Sequence, residues 1–131
     1  MKENQKIFES GKFFTGCNYW ASHAGTNMWH DWRADIVESD LKRLSEAHIT
    51  VMRMFPLWSD FQPLRMHRSG SSAERELRIY EDPMPNTPEG RAGIDPVMAD
   101  RFGIFLDLAE KYKIKLIVGL VTGWMSGRMY M

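Results

Sequence analysis

Residues 50–58 read TVMRMFPLW, an apolar stretch of strand-forming residues that carries one Arg and ends in a Trp. Residues 13–20, FFTGCNYW, and residues 116–124, LIVGLVTGW, are also strand-like apolar stretches that end in a Trp, but they carry no Arg. A segment with helical spacing precedes the second stretch and another precedes the third, which predicts a β-α-β-α-β order. Parallel strands place their carboxyl ends at one edge of a sheet, where α/β proteins bind their ligands. The sequence therefore predicts an α/β fold whose binding edge is lined by Trp, Asn and Arg.

Both helices are predicted from regularly spaced apolar residues. Between about residues 33 and 47 the apolar stripe has the spacing i, i+4, i+7 and consists of Val37, Leu41 and Leu44. The second helix begins after Asp95, an N-cap residue, with Pro96 at its first helical position. Its core-facing stripe consists of Met98, Phe102, Phe105, Ala109 and Tyr112. The continuous apolar run of the third strand predicts burial on both faces of that strand.

The chain has the length of one domain, residues 1–131. Residues 1–11 form a polar lead-in. Residues 59–94 are rich in Gly, Ser, Pro and Arg and are predicted to form one long loop after the second strand. A loop of this length in a compact domain is usually functional or mobile. Because it leaves the carboxyl end of a strand, we assign it to the binding edge.

Charge and composition argue against several classes of partner. The chain has 17 basic and 17 acidic residues, so neither nucleic acid nor an anionic membrane is expected as a partner. Its one cysteine, Cys17, cannot form an internal disulfide and is expected to be a small buried residue. Residues 1–11 contain no apolar signal-peptide core, and no apolar stretch has the length of a membrane span. A cytoplasmic location is expected, or a secreted one if a leader has been removed.

No cofactor and no metal ion are predicted. The four His residues show no ligand spacing with Cys or with carboxylates. The sequence contains no Gly-rich phosphate loop, dinucleotide fingerprint, nucleophile elbow or zinc-protease motif. Nucleotide, flavin, acyl-transfer and zinc chemistry are correspondingly disfavoured.

The Trp residues predict a carbohydrate ligand. A pyranose ring has an apolar face that an indole can cover, and a rim of hydroxyls that polar side chains can hydrogen-bond. Trp20, Trp58 and Trp124 stand at or just beyond strand ends, and Trp29 lies in the first loop. Any one of them could equally be a packing residue, which is the role expected of Trp32. Together on one edge they favour a sugar-binding cleft.

Arg53 and Asn18 are the polar candidates for this cleft. Arg53 lies inside an apolar strand, where an unpaired charge would be costly, so it is expected to meet a carboxylate or several acceptors. That carboxylate could be an acid of this chain or a catalytic group that Arg53 keeps ionised and oriented. Asn18 could bond substrate hydroxyls or satisfy backbone groups of the first loop. Asp31 is predicted to cap the first helix, and Asp40 to be a surface group.

A set of short motifs runs from residue 13 to residue 128. It consists of G-x-N-Y-W at 16–20, M-W-x-D-W at 28–32, D-L at 40–41, V-M-R-M-F at 51–55 with Trp58, and GLVTGWMSGR at 119–128. Together these motifs resemble the opening of a (β/α)8-barrel retaining glycoside hydrolase. The group that they resemble is that of cellulases and β-mannanases, which includes glycoside hydrolase family five.

The resemblance implies that the chain supplies the first three βα units of a TIM barrel and acts on a β-linked poly- or oligosaccharide. Such enzymes use one Glu as acid/base after strand four and another as nucleophile at the end of strand seven. The resemblance places neither Glu in this chain, so no catalytic residue and negligible hydrolysis are expected. It carries over Arg53, as support for the nucleophile, and the aromatic cleft residues. The remainder of the barrel, or self-association, is expected to cover the open sheet.

Two alternatives remain open from the sequence. The first is a carbohydrate-binding remnant without catalysis, because the Trp residues are present and the acids are not. The second is a small flavodoxin-like domain with an unrelated ligand. That fold normally holds phosphate in short polar loops at helix N-termini, whereas the loops here contain Trp and one is long.

Overall fold

The computed structural model of the chain describes residues 11–68 and 75–120. Along the chain its elements are β1 Gly16–Asn18, α1 Ala34–Glu46, β2 Val51–Met54, α2 Trp58–Phe61, β3 Leu64–Arg68, β4 Arg75–Ile79, β5 Asp82–Pro83, α3 Pro88–Arg91, α4 Pro96–Lys111 and β6 Lys115–Val118. They belong to two compact units. The sheet unit is Met1–Phe55 with Phe105–Gly119, and the hairpin unit is Pro56–Ile104 with Leu120–Met131. None of the helices within the described ranges is both long and apolar enough to cross a membrane.

The sheet unit contains a three-stranded parallel sheet in the order β1-β2-β6. This order confirms the predicted α/β class and the predicted β-α-β-α-β arrangement. Asn18 pairs with Arg53, and Arg53 pairs with Ile117 on its other side. Since paired residues point to the same face of a sheet, these three side chains form one row across the strands.

The core of the sheet unit is built from the stripes that the sequence predicts. Val37 and Leu41 of α1 are fully buried, and so are Phe105 and Ala109 of α4. The buried residues of β2 include Met52, which alternates in direction with Arg53. Met52 and Met54 share one face of the sheet and are fully buried, whereas on the other face Val51 is buried and Arg53 is exposed.

Two sequence expectations for the strands are wrong. The first strand is Gly16–Asn18, shorter than the predicted 13–20, and Phe13 is 92% exposed. The third strand is not buried on both faces, because Ile117 is 39% exposed. Within the described residues β6 pairs only with β2, so β6 lies at an edge of the sheet. The apolar run predicts a central strand and cannot show which of its neighbours are present.

The predicted loop at 59–94 contains secondary structure of its own. In the hairpin unit β3 pairs antiparallel with β4, and β4 pairs with β5. Leu64 faces Ile79 and Met66 faces Leu77, while the polar residues between them point to the other side. This alternation is the period-two signal of a strand. The Gly, Ser and Pro content of the segment concealed it.

The start of α4 confirms the predicted cap. Asp95 Oδ1 accepts hydrogen bonds from the backbone N–H groups of Val97 (2.8 Å) and Met98 (3.4 Å). The Asp95 side chain is buried. Burial, followed by the charge and hydrogen bond of Asp95, raises the pKa of Tyr80. One carboxylate thus joins the end of the β-hairpin to the first turn of the helix.

Replacing Asp95 by Ala should lower the free energy of unfolding by about 1–2 kcal/mol, the usual cost of losing a helix N-cap. Urea unfolding followed by circular dichroism measures this change. Asp100→Ala, at an exposed position of the same helix, is the control and should have little effect. Equal losses in the two variants would contradict the capping role.

Candidate functional site

The carboxyl ends of β1 and β2 bring three of the predicted site residues together. The Trp20 indole stacks on the Phe55 ring, with 5.2 Å between centroids and 20° between planes. The Arg53 guanidinium carbon lies 4.8 Å from the centroid of the same ring. Asn18 is the register partner of Arg53. We call Trp20, Arg53, Phe55 and Gly119 the Phe55 cluster.

Backbone hydrogen bonds align the strand ends that carry this cluster. Tyr19 N–H donates to the Arg53 carbonyl at 2.8 Å, and Gly119 N–H donates to the Met54 carbonyl at 2.9 Å. These bonds extend the parallel pairing just beyond β1 and at the end of β2. Side chains that follow each strand are therefore held at a common level of the sheet.

Gly119 provides the room for the Phe55 ring. A Cβ atom at position 119 would lie 2.7 Å from Cδ1 of Phe55, closer than real contacts allow. A larger residue would have to displace either the ring or the end of β6. Gly119, just after β6, thus contributes to the site by having no side chain.

Arg53 is exposed, which corrects the expectation that it is buried and needs a carboxylate. Its face of the sheet is open, so water solvates the charge, and the Phe55 ring supplies a cation–π contact. Such contacts contribute about 0.5–1 kcal/mol at exposed sites. The role of Arg53 beside a nucleophile stays a prediction.

Trp29 belongs to the core, so no face of its indole is exposed for the predicted sugar binding. The side chain is 0% exposed, and its Nε1–H donates to the Phe55 carbonyl at 2.8 Å. It stacks on Trp32 at 5.7 Å and lies 6.0 Å from Phe105. Trp32 has the packing role expected of it. A Trp in a loop gave no signal that could separate these roles in advance.

The first loop is held by Asp40, which the sequence predicts to be a surface group. Asp40 Oδ2 accepts from Tyr19 Oη at 3.0 Å and from Ser22 N–H at 2.9 Å. A cavity of about 370 Å³ lies at this point of the sheet unit, with Cys17 and Arg43 in its lining. Cys17 is half-buried, not fully buried as expected, and this burial raises the pKa of its thiol.

Asp31 does not cap α1, contrary to the prediction. The N-cap position is occupied by Arg33, which makes no side-chain capping bond. The Asp31 carbonyl instead accepts from Nε2 of His23 at 2.7 Å. A carbonyl only accepts, so Nε2 carries the proton in this contact. Both residues therefore contribute to the shape of the first loop.

Trp58 lies in the hairpin unit, where it lines a separate pocket. This cavity has a volume of about 300 Å³, and its lining is apolar apart from the amide of Gln62. The residues that line it are Pro56, Trp58, Phe61, Gln62, Ile94 and Leu120. Trp58 is 45% exposed. Gln62 Nε2 donates to the Ala92 carbonyl at 2.7 Å, which fixes the amide. Trp124 lies outside the described residues.

Metal ligation finds no support in the described ranges. Residues 11–68 and 75–120 contain no group of three or more His, Cys, Asp or Glu side chains that could hold a metal ion. At the carboxyl ends of β1 and β2, Trp20 supplies an indole, Asn18 an amide and Arg53 a guanidinium.

Comparison with family models and with curated proteins finds no match. Comparison with solved structures finds matches. An exo-beta-1,4-mannosidase, Op5Man5, from Opitutaceae bacterium strain TAV5 superposes with a TM-score of 0.60 and 28% identity. The match covers 86% of this chain and 15% of that one. The chain is similar to part of a GH5-like barrel.

Two further structures match the same GH5-like fold. They are GH5_18 from Streptomyces cattleya in complex with GlcNAc and a variant of it in complex with Manb1-4GlcNAc. Their TM-scores are 0.55 and 0.56, at 21% identity. Each match covers 88% of this chain and 24% of the other. The predicted fold class, part of a (β/α)8 barrel, is confirmed, and the chain spans less than a quarter of the neighbours' length.

The contact between Tyr19 and Asp40 predicts how stability depends on pH. Burial, and then the charge and hydrogen bond of Asp40, raise the pKa of Tyr19 above its ordinary value of 10.0. The folded protein then holds the phenol proton more tightly than the unfolded chain. This stabilisation is complete below pH 10.0 and is lost as pH rises towards the folded pKa.

The wild-type free energy of unfolding should therefore fall above pH 10.0 more steeply than that of Tyr19→Phe, by about 1.4 kcal/mol per pH unit. Urea unfolding at several alkaline pH values measures both slopes. The other tyrosines titrate in both proteins and cancel in the difference. Parallel slopes would show that Tyr19 does not hold its proton in the folded state.

Proposed function

We propose that this chain forms the first three βα units of a glycoside hydrolase barrel that acts on β-linked poly- or oligosaccharides. One observation carries the proposal. In a fold similar to part of a GH5-like barrel, Asn18, Arg53 and Trp20 lie together at the carboxyl edge of the parallel sheet. That edge is where barrel enzymes bind their substrates.

The chemistry of these groups suits a sugar. The Trp20 indole can cover the apolar C–H face of a pyranose ring. The Asn18 amide both donates and accepts, and the Arg53 guanidinium donates in a planar fork, so hydroxyls at the rim of the ring find partners. A phosphate would favour several cations or a helix N-terminus, which this arrangement does not offer.

The names of the similar structures suggest which sugar to test first. One is an exo-beta-1,4-mannosidase, and another was solved with Manb1-4GlcNAc bound. We therefore propose a β-1,4-linked mannosyl compound as the substrate class. The two Glu residues of a retaining mechanism would come from further βα units, and Arg53 would keep one of them ionised.

Purified chain should bind β-1,4-mannotriose weakly and should not hydrolyse an aryl β-mannoside above the buffer rate. Arg53→Gln and Asn18→Ala should each weaken binding about three- to tenfold, because a hydrogen bond contributes about 1 kcal/mol, and more when it is charged. Chemical-shift titration measures the affinity. Arg33→Gln, which removes the same charge at an exposed pair with Asp35, is the control and should bind like wild type. Absence of any shift with mannosyl, glucosyl or GlcNAc oligosaccharides would remove the proposal.

The open face of the sheet predicts association with further barrel units or with a second copy. Ile117 is 39% exposed beside Arg53. Ile117→Lys places a charge on this face and should shift sedimentation profiles towards the monomer. Asp107→Lys, at an exposed position of α4, should not. A wild-type chain that sediments as a monomer at high concentration would contradict the prediction.

A further inference from the structure

We propose that Phe55 is the positioning residue of this site: its ring sets the orientation of both the Arg53 guanidinium and the Trp20 indole before any ligand binds. The inference rests on the proposed function, since it assigns the ring a role in binding a sugar. Phe55 itself offers the ligand no surface to contact, because it is only 5% exposed. Its effect must pass through the two side chains that lie on it.

Arg53 and Phe55 lie on the same side of the sheet, because the Arg53 guanidinium lies over the Phe55 ring just beyond the end of β2. Arg53 is exposed there while Phe55 is buried. The ring is buried because Trp20 stacks on it at 5.2 Å and Arg53 lies 4.8 Å from its centroid. The contacts that bury Phe55 are thus the contacts that orient its neighbours.

The Phe55 ring is fixed without help from a ligand. The Phe55 carbonyl accepts the Nε1–H of Trp29, which is wholly buried and cannot move aside. Gly119 leaves space for the ring, and a Cβ atom there would lie 2.7 Å from it. Phe55 is therefore held through its backbone on one side and against the end of β6 on the other.

The Phe55 ring restricts the conformational freedom of the Arg53 side chain. An Arg side chain has many rotamers, and an exposed one samples most of them. A guanidinium prefers the face of an aromatic ring, so Phe55 selects a small part of that range. Ordering the group before binding removes a cost that the ligand would otherwise have to meet. An aliphatic side chain of similar volume would fill the space without this selection.

The test compares Phe55→Leu with Phe55→Tyr. The Arg53 Nε–Hε resonance, assigned by its loss in Arg53→Lys, should be shifted upfield by the Phe55 ring in wild type. Phe55→Leu should return it to the position of a free Arg and weaken mannotriose binding about three- to fivefold, the effect expected of one cation–π contact. Phe55→Tyr should keep both the shift and the affinity. Gly119→Ala, which displaces the ring while leaving it present, should also lose the shift.

Leu41→Ala is the control. It truncates a fully buried side chain of the sheet unit that lies on α1. It should lower the urea midpoint while leaving the Arg53 resonance and the affinity of the folded protein unchanged. An Arg53 resonance that is unaltered in Phe55→Leu, or lost equally in Phe55→Tyr, would overturn the inference. If wild type binds no sugar, the proposed function fails, whereas the resonance still decides whether Phe55 positions Arg53.

Discussion

The sheet unit depends on the register of β2, the strand that is hydrogen-bonded on both sides. Its pairing with β1 places Asn18 opposite Arg53, and its pairing with β6 places Ile117 there as well. A slip of one residue would turn Arg53 into the core and bring Met52 to the open face. Burial of the Met side chains and solvation of the Arg53 charge therefore both disfavour this slip. The positions of the site residues depend on the register of β2.

The site contains two kinds of residue, buried ones that position their neighbours and exposed ones that can contact a ligand. Phe55 and Trp29 are buried and fix positions, whereas Arg53 and Asn18 are exposed and can reach a ligand. A binding edge of this kind needs both sorts of residue, because exposed side chains alone would lose much conformational freedom on binding. The similarity to GH5-like barrels agrees with this arrangement at the level of the fold.

Regular patterns in the sequence predicted the fold well, and long-range contacts limited the prediction of the site. The stripes at Val37 and Phe105, and the cap at Asp95, depend on local periodicity and local hydrogen bonds, so the sequence is sufficient for them. The exposure of Arg53 depends on which strands cover its face, and the burial of Trp29 depends on a carbonyl 26 residues away. The contact of Asp40 with Tyr19 spans 21 residues. None of these three long-range features leaves a periodic pattern in the sequence. The β-hairpin does have a period-two pattern, but the Gly, Ser and Pro content of the segment concealed it.

The sheet unit is built from two stretches of the chain, Met1–Phe55 and Phe105–Gly119, which are far apart in the sequence. This separation affects the order of folding. Glu38 of α1 accepts a hydrogen bond from Tyr112, 74 residues later, so α1 and the end of α4 meet only after a long segment has closed. Closing a long chain segment costs entropy before any contact compensates for it, and parallel pairing is slow for that reason. The strands β3 and β4 are separated in the sequence only by residues 69–74, and β-hairpins form in about 1–10 μs. We therefore expect the hairpin unit to acquire structure before the sheet that carries the site.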